Sequence, residues 1–360
     1  MKIQKKHLFF TFLLPVQVIL VQLAGQYPIF IEHYYSNGIY TIIAQLLRFI
    51  FGWIPFSVGD LLLTFLVGVL LRFIYRLFKS RFKDWIPKIV HATAILSGIY
   101  CCFYLFWGLN YYRAPLNETL GYNQKEYTTN QLISTTYYVV EQLNFYQQKI
   151  THNDSLKVEN PYSEKKMYKM AVVGYQNLAQ DFPMFTYESP SVKSSLMGLL
   201  QTYNGTSGYF NPLTGEAQVN DRIPKTGYPT TTCHEMAHQI GFSAENEANF
   251  VGFLAANYTD DPYFKYASYR MAFAYLIGEV RKRDRQAFAE IWKKTHKGIL
   301  MDFKNSAAFW KSYKNSFEPL VKKGYNAYLK ANKQDKGTAS YSYVVDLLIS
   351  YFEKQGDSFS

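Results

Sequence analysis

Hydrophobic positions are distributed unevenly along this chain. Three nearly unbroken apolar stretches, at residues 8–25, 56–74 and 89–109, fall in its first third. Each approaches the roughly 20 residues that a helix needs to cross a bilayer, so three transmembrane helices are predicted. Residues 38–53 place Ile42, Ile43, Leu46, Leu47 and Ile50 along one face, the pattern of a helix lying in the membrane interface. From about residue 114 the pattern becomes mixed. Residues 130–149 and 162–180 carry apolar positions at helical spacing, as with Met167, Ala171, Tyr175 and Leu178. A short helix is expected after Pro190, running to Leu200. Turn formers then cluster at residues 204–208 and 211–215, and the short extended pieces between them predict a small hairpin or sheet ending near Asn220. Helices resume at Thr230 and continue to a last one over residues 340–354. The expected fold class is mainly α. A membrane region, residues 1–113, precedes one helical domain, residues 114–360, that carries the small β element.

Charge refines this picture. The net charge is +11, but residues 1–113 hold 11 basic against 3 acidic side chains and the remainder holds 27 against 24. The excess therefore lies beside the apolar spans, where basic residues report orientation. A nucleic-acid partner would need a basic stripe on the folded domain, and none is legible. Lys2, Lys5 and Lys6 precede the first span, and six basic residues lie between Arg72 and Lys88. The positive-inside rule then places the N-terminus and the 72–88 loop in the cytoplasm and everything after Arg113 outside it, in a multi-pass membrane protein. The alternative for the first span is a cleaved signal peptide, which leaves the side of residue 26 onward unchanged. The chain has three cysteines, two of them adjacent within a span, so no disulfide framework is readable. Cys233 reads as a small buried residue.

The chemistry concentrates in His234-Glu235-Met236-Ala237-His238. Positions i and i+4 of a helix share a face, so both imidazoles reach one metal, and the intervening Glu235 is placed to serve as general base toward water. Zinc suits such nitrogen and oxygen ligands. Pro229 and Thr230 supply a helix start and Gly241 a stop, and Ser243 is placed to cap a second, antiparallel helix over residues 244–257. That return brings Glu245 and Glu247 toward the metal, and on a helix only one of them faces it. The stripe through Glu245 continues with small residues, Ala248, Gly252 and Ala255/Ala256, whereas that through Glu247 continues with Phe250/Val251, Leu254 and Tyr258. Small residues allow the close approach that a shared metal requires. Glu245 is therefore the expected third ligand, with Glu247 as its neighbouring support or the alternative ligand. The remaining histidines, His7, His33, His91, His152 and His296, are isolated and read as ordinary residues.

The chain resembles the bacterial polytopic membrane proteins called domain of unknown function 3810, which carry a zincin-like domain. The resemblance rests on residues 52–60, 106–113, 215–220, the H-E-x-x-H helix, 245–250 and 325–330. The run from Glu245 to Asn249 is also similar to the third-ligand motif of gluzincin peptidases. What this resemblance implies is a zincin-like (α+β) domain, a His-His-Glu zinc site and peptide hydrolysis.

The expected function is thus that of a membrane-anchored zinc metallopeptidase acting outside the cytoplasm. Its partners would be the lipid bilayer and a peptide or protein substrate near the membrane surface. The strand over residues 215–220 is a candidate for pairing with extended substrate, equally readable as a structural hairpin, which leaves Glu216 a weak site candidate. The alternative from another class is a zinc-binding sensor or assembly factor without turnover. An intramembrane protease is excluded, because residues 201–250 hold no apolar run near 20 residues. Tyr341 and Tyr343 are candidate oxyanion donors.

Overall fold

A computed structural model describes residues 3–122, 126–334 and 343–357. The chain opens with helix α1 (Lys5–Ala24) and a single turn, α2 (Pro28–Phe30). A π-helical stretch, Ile31–Ile39, runs directly into α3 (Tyr40–Gly52), and α4 (Val58–Lys79) and α5 (Trp85–Phe106) follow. Helices α1, α4 and α5 are long and apolar enough to cross a bilayer, which marks a membrane protein. α1 and α5 pack side by side: the Thr11 hydroxyl donates to the Val90 carbonyl (3.0 Å) and Ser97 to Gln17 (3.2 Å). α4 stands apart, with only Gly59 and Asp60 of its first turn buried. On α3 two faces separate cleanly. Tyr40, Ala44 and Arg48 are buried, while Ile42, Leu46, Phe49 and, just beyond, Trp53 are exposed. That division suits a helix wedged between a folded body and lipid.

The globular part begins with a turn, α6 (Leu116–Thr119), then α7 (Thr129–Thr151) and α8 (Glu164–Asp181). α7 starts at a capping box in which Thr128 and Gln131 satisfy each other's backbone. Next come β1 (Val192–Ser194), α9 (Gly198–Asn204), β2 (Gly208–Asn211) and β3 (Glu216–Val219). The sheet has the order β1-β3-β2, with β1 parallel and β2 antiparallel to β3. Helices α10 (Tyr228–Gln239), α11 (Glu245–Asn257), α12 (Pro262–Arg283), α13 (Arg285–Lys294), α14 (Lys297–Ser312), α15 (Glu318–Ala331) and α16 (Val344–Asp357) complete the chain. The fold is mainly helical with one small sheet, as the pattern predicts. Its core gathers α7, α8, α10, α11, α12 and α16 around Tyr175, Phe250, Phe253, Phe264 and Phe273.

Two local expectations are corrected. The stretch after Pro190 is a strand before it is a helix, because residues 192–194 find a parallel partner in β3. Ser243 does not cap α11. The N-cap is Ala244, and the Ser243 hydroxyl is buried with no hydrogen-bond partner among the described residues. The expected helical start at residue 340 lies outside the described residues, and α16 is described from Val344.

Candidate metal and catalytic site

α10 places His234, Glu235 and His238 with their ligand atoms within 4.8 Å of one another. The helix ends where Gly241 turns the chain at φ +91°, a conformation that favours glycine, and α11 returns antiparallel to it. The two helices approach closely at Gly252, where an added Cβ would stand 2.9 Å from the backbone nitrogen of His234. This approach delivers Glu245. Its Oε2 lies 3.4 Å from His234 Nε2 and its Oε1 3.8 Å from His238 Nε2. Ligands held at about 2.0–2.2 Å around one tetrahedral ion stand roughly 3.3–3.6 Å apart, so three donors of the kinds zinc accepts converge at a fitting spacing.

The surroundings orient these donors. His238 Nδ1 lies 2.7 Å from the Phe242 carbonyl. A carbonyl only accepts, so Nδ1 carries the proton and Nε2 keeps its lone pair for the site. Trp107 stands edge-on to the His238 ring, with centroids 5.8 Å apart. Asn249, one turn beyond Glu245, lies beside His234. The Tyr325 hydroxyl donates to Glu245 Oε1 (2.5 Å).

Electrostatics separate the two carboxylates. Burial would raise the Glu245 carboxyl, but its bond to His234 and the charges of both histidines hold it down to about 2. Burial pushes Glu235 up to about 8, against the opposing pull of His234 and with the negative Glu245 adding to it. Burial likewise lowers His238 to about 4, and His234 contributes in the same direction. His234 itself is raised despite burial, since Glu245 and Glu235 favour its charged form. Glu235 has one oxygen, Oε2, buried without a hydrogen bond among the described residues, and its other oxygen faces Gly208 of β2, where a Cβ would stand 2.7 Å away.

Glu247 is turned the other way. It accepts the Leu116 backbone N–H (2.8 Å), and burial, partly offset by that bond and by Arg113, raises it to about 7. The structure thus brings Glu245, and not Glu247, to the histidines. Glu216 also lies elsewhere. It is fully buried and accepts from Lys193, the Thr214 hydroxyl (2.9 Å) and the backbone N–H groups of Val58 (3.2 Å) and Gly59. Its carboxylate ties the start of α4 to the sheet. β3 is the central strand, so the 215–220 segment has no edge to offer a substrate, and β2 forms the edge beside Glu235. Tyr341 lies outside the described residues, and Tyr343 is partly exposed at the start of the last helix. The isolated histidines sit away from the site: His7 meets His91 between α1 and α5, and His296 meets Gln147. Cys233 is fully buried, and the three cysteines are unpaired.

The sequence pattern did not reveal what holds the end of α10. The last carbonyls of a helix lack intrahelical partners. Here the His238 carbonyl accepts from Trp107 Nε1 (3.0 Å) and Tyr40 (3.3 Å), and the Gln239 carbonyl from Tyr40 (3.0 Å) and Arg48 Nη1 (2.6 Å). Arg113 Nη1 donates to the Gly241 carbonyl (3.0 Å). Two cations at a helix C-terminus also complement its dipole. The available signal was a buried-type pattern on α3, with Arg48 four residues beyond Ala44 on the face opposite the apolar stripe.

A family model described as "Protein of unknown function (DUF3810)" matches residues 35–349. No curated protein and no solved structure matches the chain.

Proposed function

Starting from a chain that belongs to this family of unknown function, we propose that it is a membrane-anchored, zinc-dependent metallohydrolase with a zincin-like globular part, and that its substrates are peptides. The observation that carries this reading is the convergence of His234, His238 and Glu245 beside a buried carboxylate, Glu235, with one oxygen left without a partner. His234, His238 and Glu245 would hold the zinc. When bound, zinc supplies Lewis acidity toward a carbonyl and lowers the pKa of water to about 7.

Glu235 takes the proton of the attacking water and passes it to the leaving amine, the task of a general base that then acts as acid. Glu245 supplies fixed negative charge, and its pKa is held far below that of Glu235, so the two carboxyls divide the roles of ligand and base. Peptide substrate is supported by β2, an edge strand of the sheet whose Gly208 lies against Glu235, since an edge strand is the kind that pairs with an extended chain. A purely structural zinc site would close with four protein ligands and has no use for Glu235. The charge pattern of residues 72–88 supports placing the globular part outside the cytoplasm of a bacterial inner membrane, where the substrate would lie close to the lipid surface.

The test is Glu235→Gln. It is expected to retain zinc and lose hydrolysis, trapping substrate for identification in the native membrane. Full activity of this variant on a peptide that wild type cleaves would refute the mechanism, and zinc bound without turnover by either protein would favour a sensor.

A further inference from the structure

The apolar helices join the globular part at two places. α4 enters through its first turn, where Asp60 accepts from the Leu196 N–H (2.7 Å), Ser195 Oγ (3.0 Å) and the Tyr209 hydroxyl (2.5 Å). α1 and α5 enter through their C-terminal ends. There the Gly25 carbonyl accepts from Lys333, Tyr104 donates to Asn332 Oδ1 (2.9 Å), and Phe103 meets Tyr328 with ring centroids 6.3 Å apart. These contacts mark where a membrane surface meets the fold.

Two short helices run between the two places. Leu196 stands two residues before α9, and Asn332 directly follows α15. Their other ends meet: Asn315, just ahead of α15, donates to the Tyr203 carbonyl (2.7 Å), and Tyr203 packs edge-on against Tyr313. α9 and α15 therefore form a strip tied at one end to the top of α4 and at the other to the tops of α1 and α5. A strip held this way lies along the membrane surface.

Its outer face is apolar. Leu196, Leu199, Leu200, Leu320 and Val321 are exposed, and Phe317 is 73% accessible. On α15 the positions of Phe317, Leu320, Val321, Gly324 and Tyr328 share one helical stripe. The far end of that stripe, Tyr328, packs on Phe103 of α5, so the stripe looks toward the side from which α5 arrives. Lys323 and Lys322, the latter paired with Glu318 at 2.5 Å, flank it.

We propose that the α9–α15 strip is a second membrane-docking surface, seated in the leaflet on the globular side, with its apolar stripe among acyl chains and its lysines at headgroup level. The occupant is lipid because the strip is continuous with three helices of membrane-spanning character and because cations border it. The same helix carries Tyr325, which touches Glu245, so the strip brings the candidate site down to the lipid surface. This inference does not depend on hydrolysis.

The experiment uses the full chain in phosphatidylethanolamine–phosphatidylglycerol vesicles, some lipids bearing a photoreactive diazirine midway along an acyl chain. Adducts are mapped by mass spectrometry. Residues 196–203 and 317–321 are expected to label within about threefold of the exposed stripe of α3, as interfacial helices of similar depth should. The double variant Leu200→Lys, Leu320→Lys should lose roughly tenfold of that labelling while α4 labels as before. Labelling of α3 and α4 with none on the strip would overturn the proposal. So would zero-length cross-links joining the strips of two copies, which would show a protein partner in place of lipid.

Discussion

Gly252 is the position at which the geometry of the site is most exposed to a single methyl group. An added Cβ would stand 2.9 Å from His234 N, 3.1 Å from its Cα and 3.3 Å from its Cβ. None of these atoms can rotate away, because all belong to the backbone or the first side-chain atom of α10. Reaching ordinary van der Waals contact requires the helices to part by roughly half an ångström. Helix propensity alone would favour Gly252→Ala by about 1 kcal/mol. Overpacking between two buried helices costs about 1–3 kcal/mol, so the net effect is a destabilisation of roughly 0–2 kcal/mol. At the centre of that range the melting temperature falls by about 2–4 °C for a fold of this size. The displaced residue is itself a ligand candidate and Glu245 rides on the other helix, so the 3.4 Å separation widens and zinc content falls further than stability. Thermal unfolding of the purified full chain and zinc per chain are the measurements. Gly278→Ala is the control: it lies exposed within α12, where an added Cβ meets nothing within 4 Å, and it should gain up to about 1 kcal/mol with zinc unchanged. A Gly252→Ala protein that melts at or above wild type with full zinc would refute the argument that this approach sets the site.

Two further outcomes follow from particular residues. Glu245→Ala should abolish zinc binding, whereas Glu247→Ala should keep zinc and lose about 1–3 kcal/mol of stability by orphaning the Leu116 N–H; zinc loss confined to the second would reverse the assignment. A reporter active only outside the cytoplasm should work when fused after residue 120 or 360 and fail at residue 80, and the opposite pattern would invert the protein in the membrane.

Legibility in the sequence followed the range of the interaction. The three spans, the H-E-x-x-H helix, its glycine stop and the return helix are local patterns, and each lies within a few residues of its expected place. That Glu245 rather than Glu247 turns toward the histidines was also legible, because a stripe of small residues through Gly252 is itself the pattern of a close helix contact. β1 was not. Three residues carry too little periodicity to announce a strand, and its parallel partner lies 25 positions on. Glu216 was visible as a motif residue but not as what it is, because the amides of Val58 and Gly59 that it binds lie over 150 residues away. Arg48 illustrates the same limit. Within the predicted interfacial helix over residues 38–53 it reads as one more basic residue of the apolar third, and only the fold shows it buried against the end of α10.

These long-range bonds bear on how the chain is divided. Residue 113 separates it by composition, yet the hydrogen bonds that finish the motif helix cross that line. Tyr40, Arg48, Trp107 and Arg113 come from the apolar third, and together they satisfy the carbonyls of His238, Gln239 and Gly241. Glu32 in turn fixes Arg113 through two bonds, at 2.8 and 2.6 Å. A buried carbonyl stripped of its donors costs about 1–3 kcal/mol, and those of Gln239 and Gly241 stand beside the His238 carbonyl, which also accepts from the Gly241 N–H (3.1 Å). The imidazole of His238 takes its orientation from that same end, through the Phe242 carbonyl and the edge of Trp107. The membrane region therefore does more than tether the globular part. It supplies the groups that hold one of the two histidines in place, and the family match from residue 35 to 349 spans both contributions.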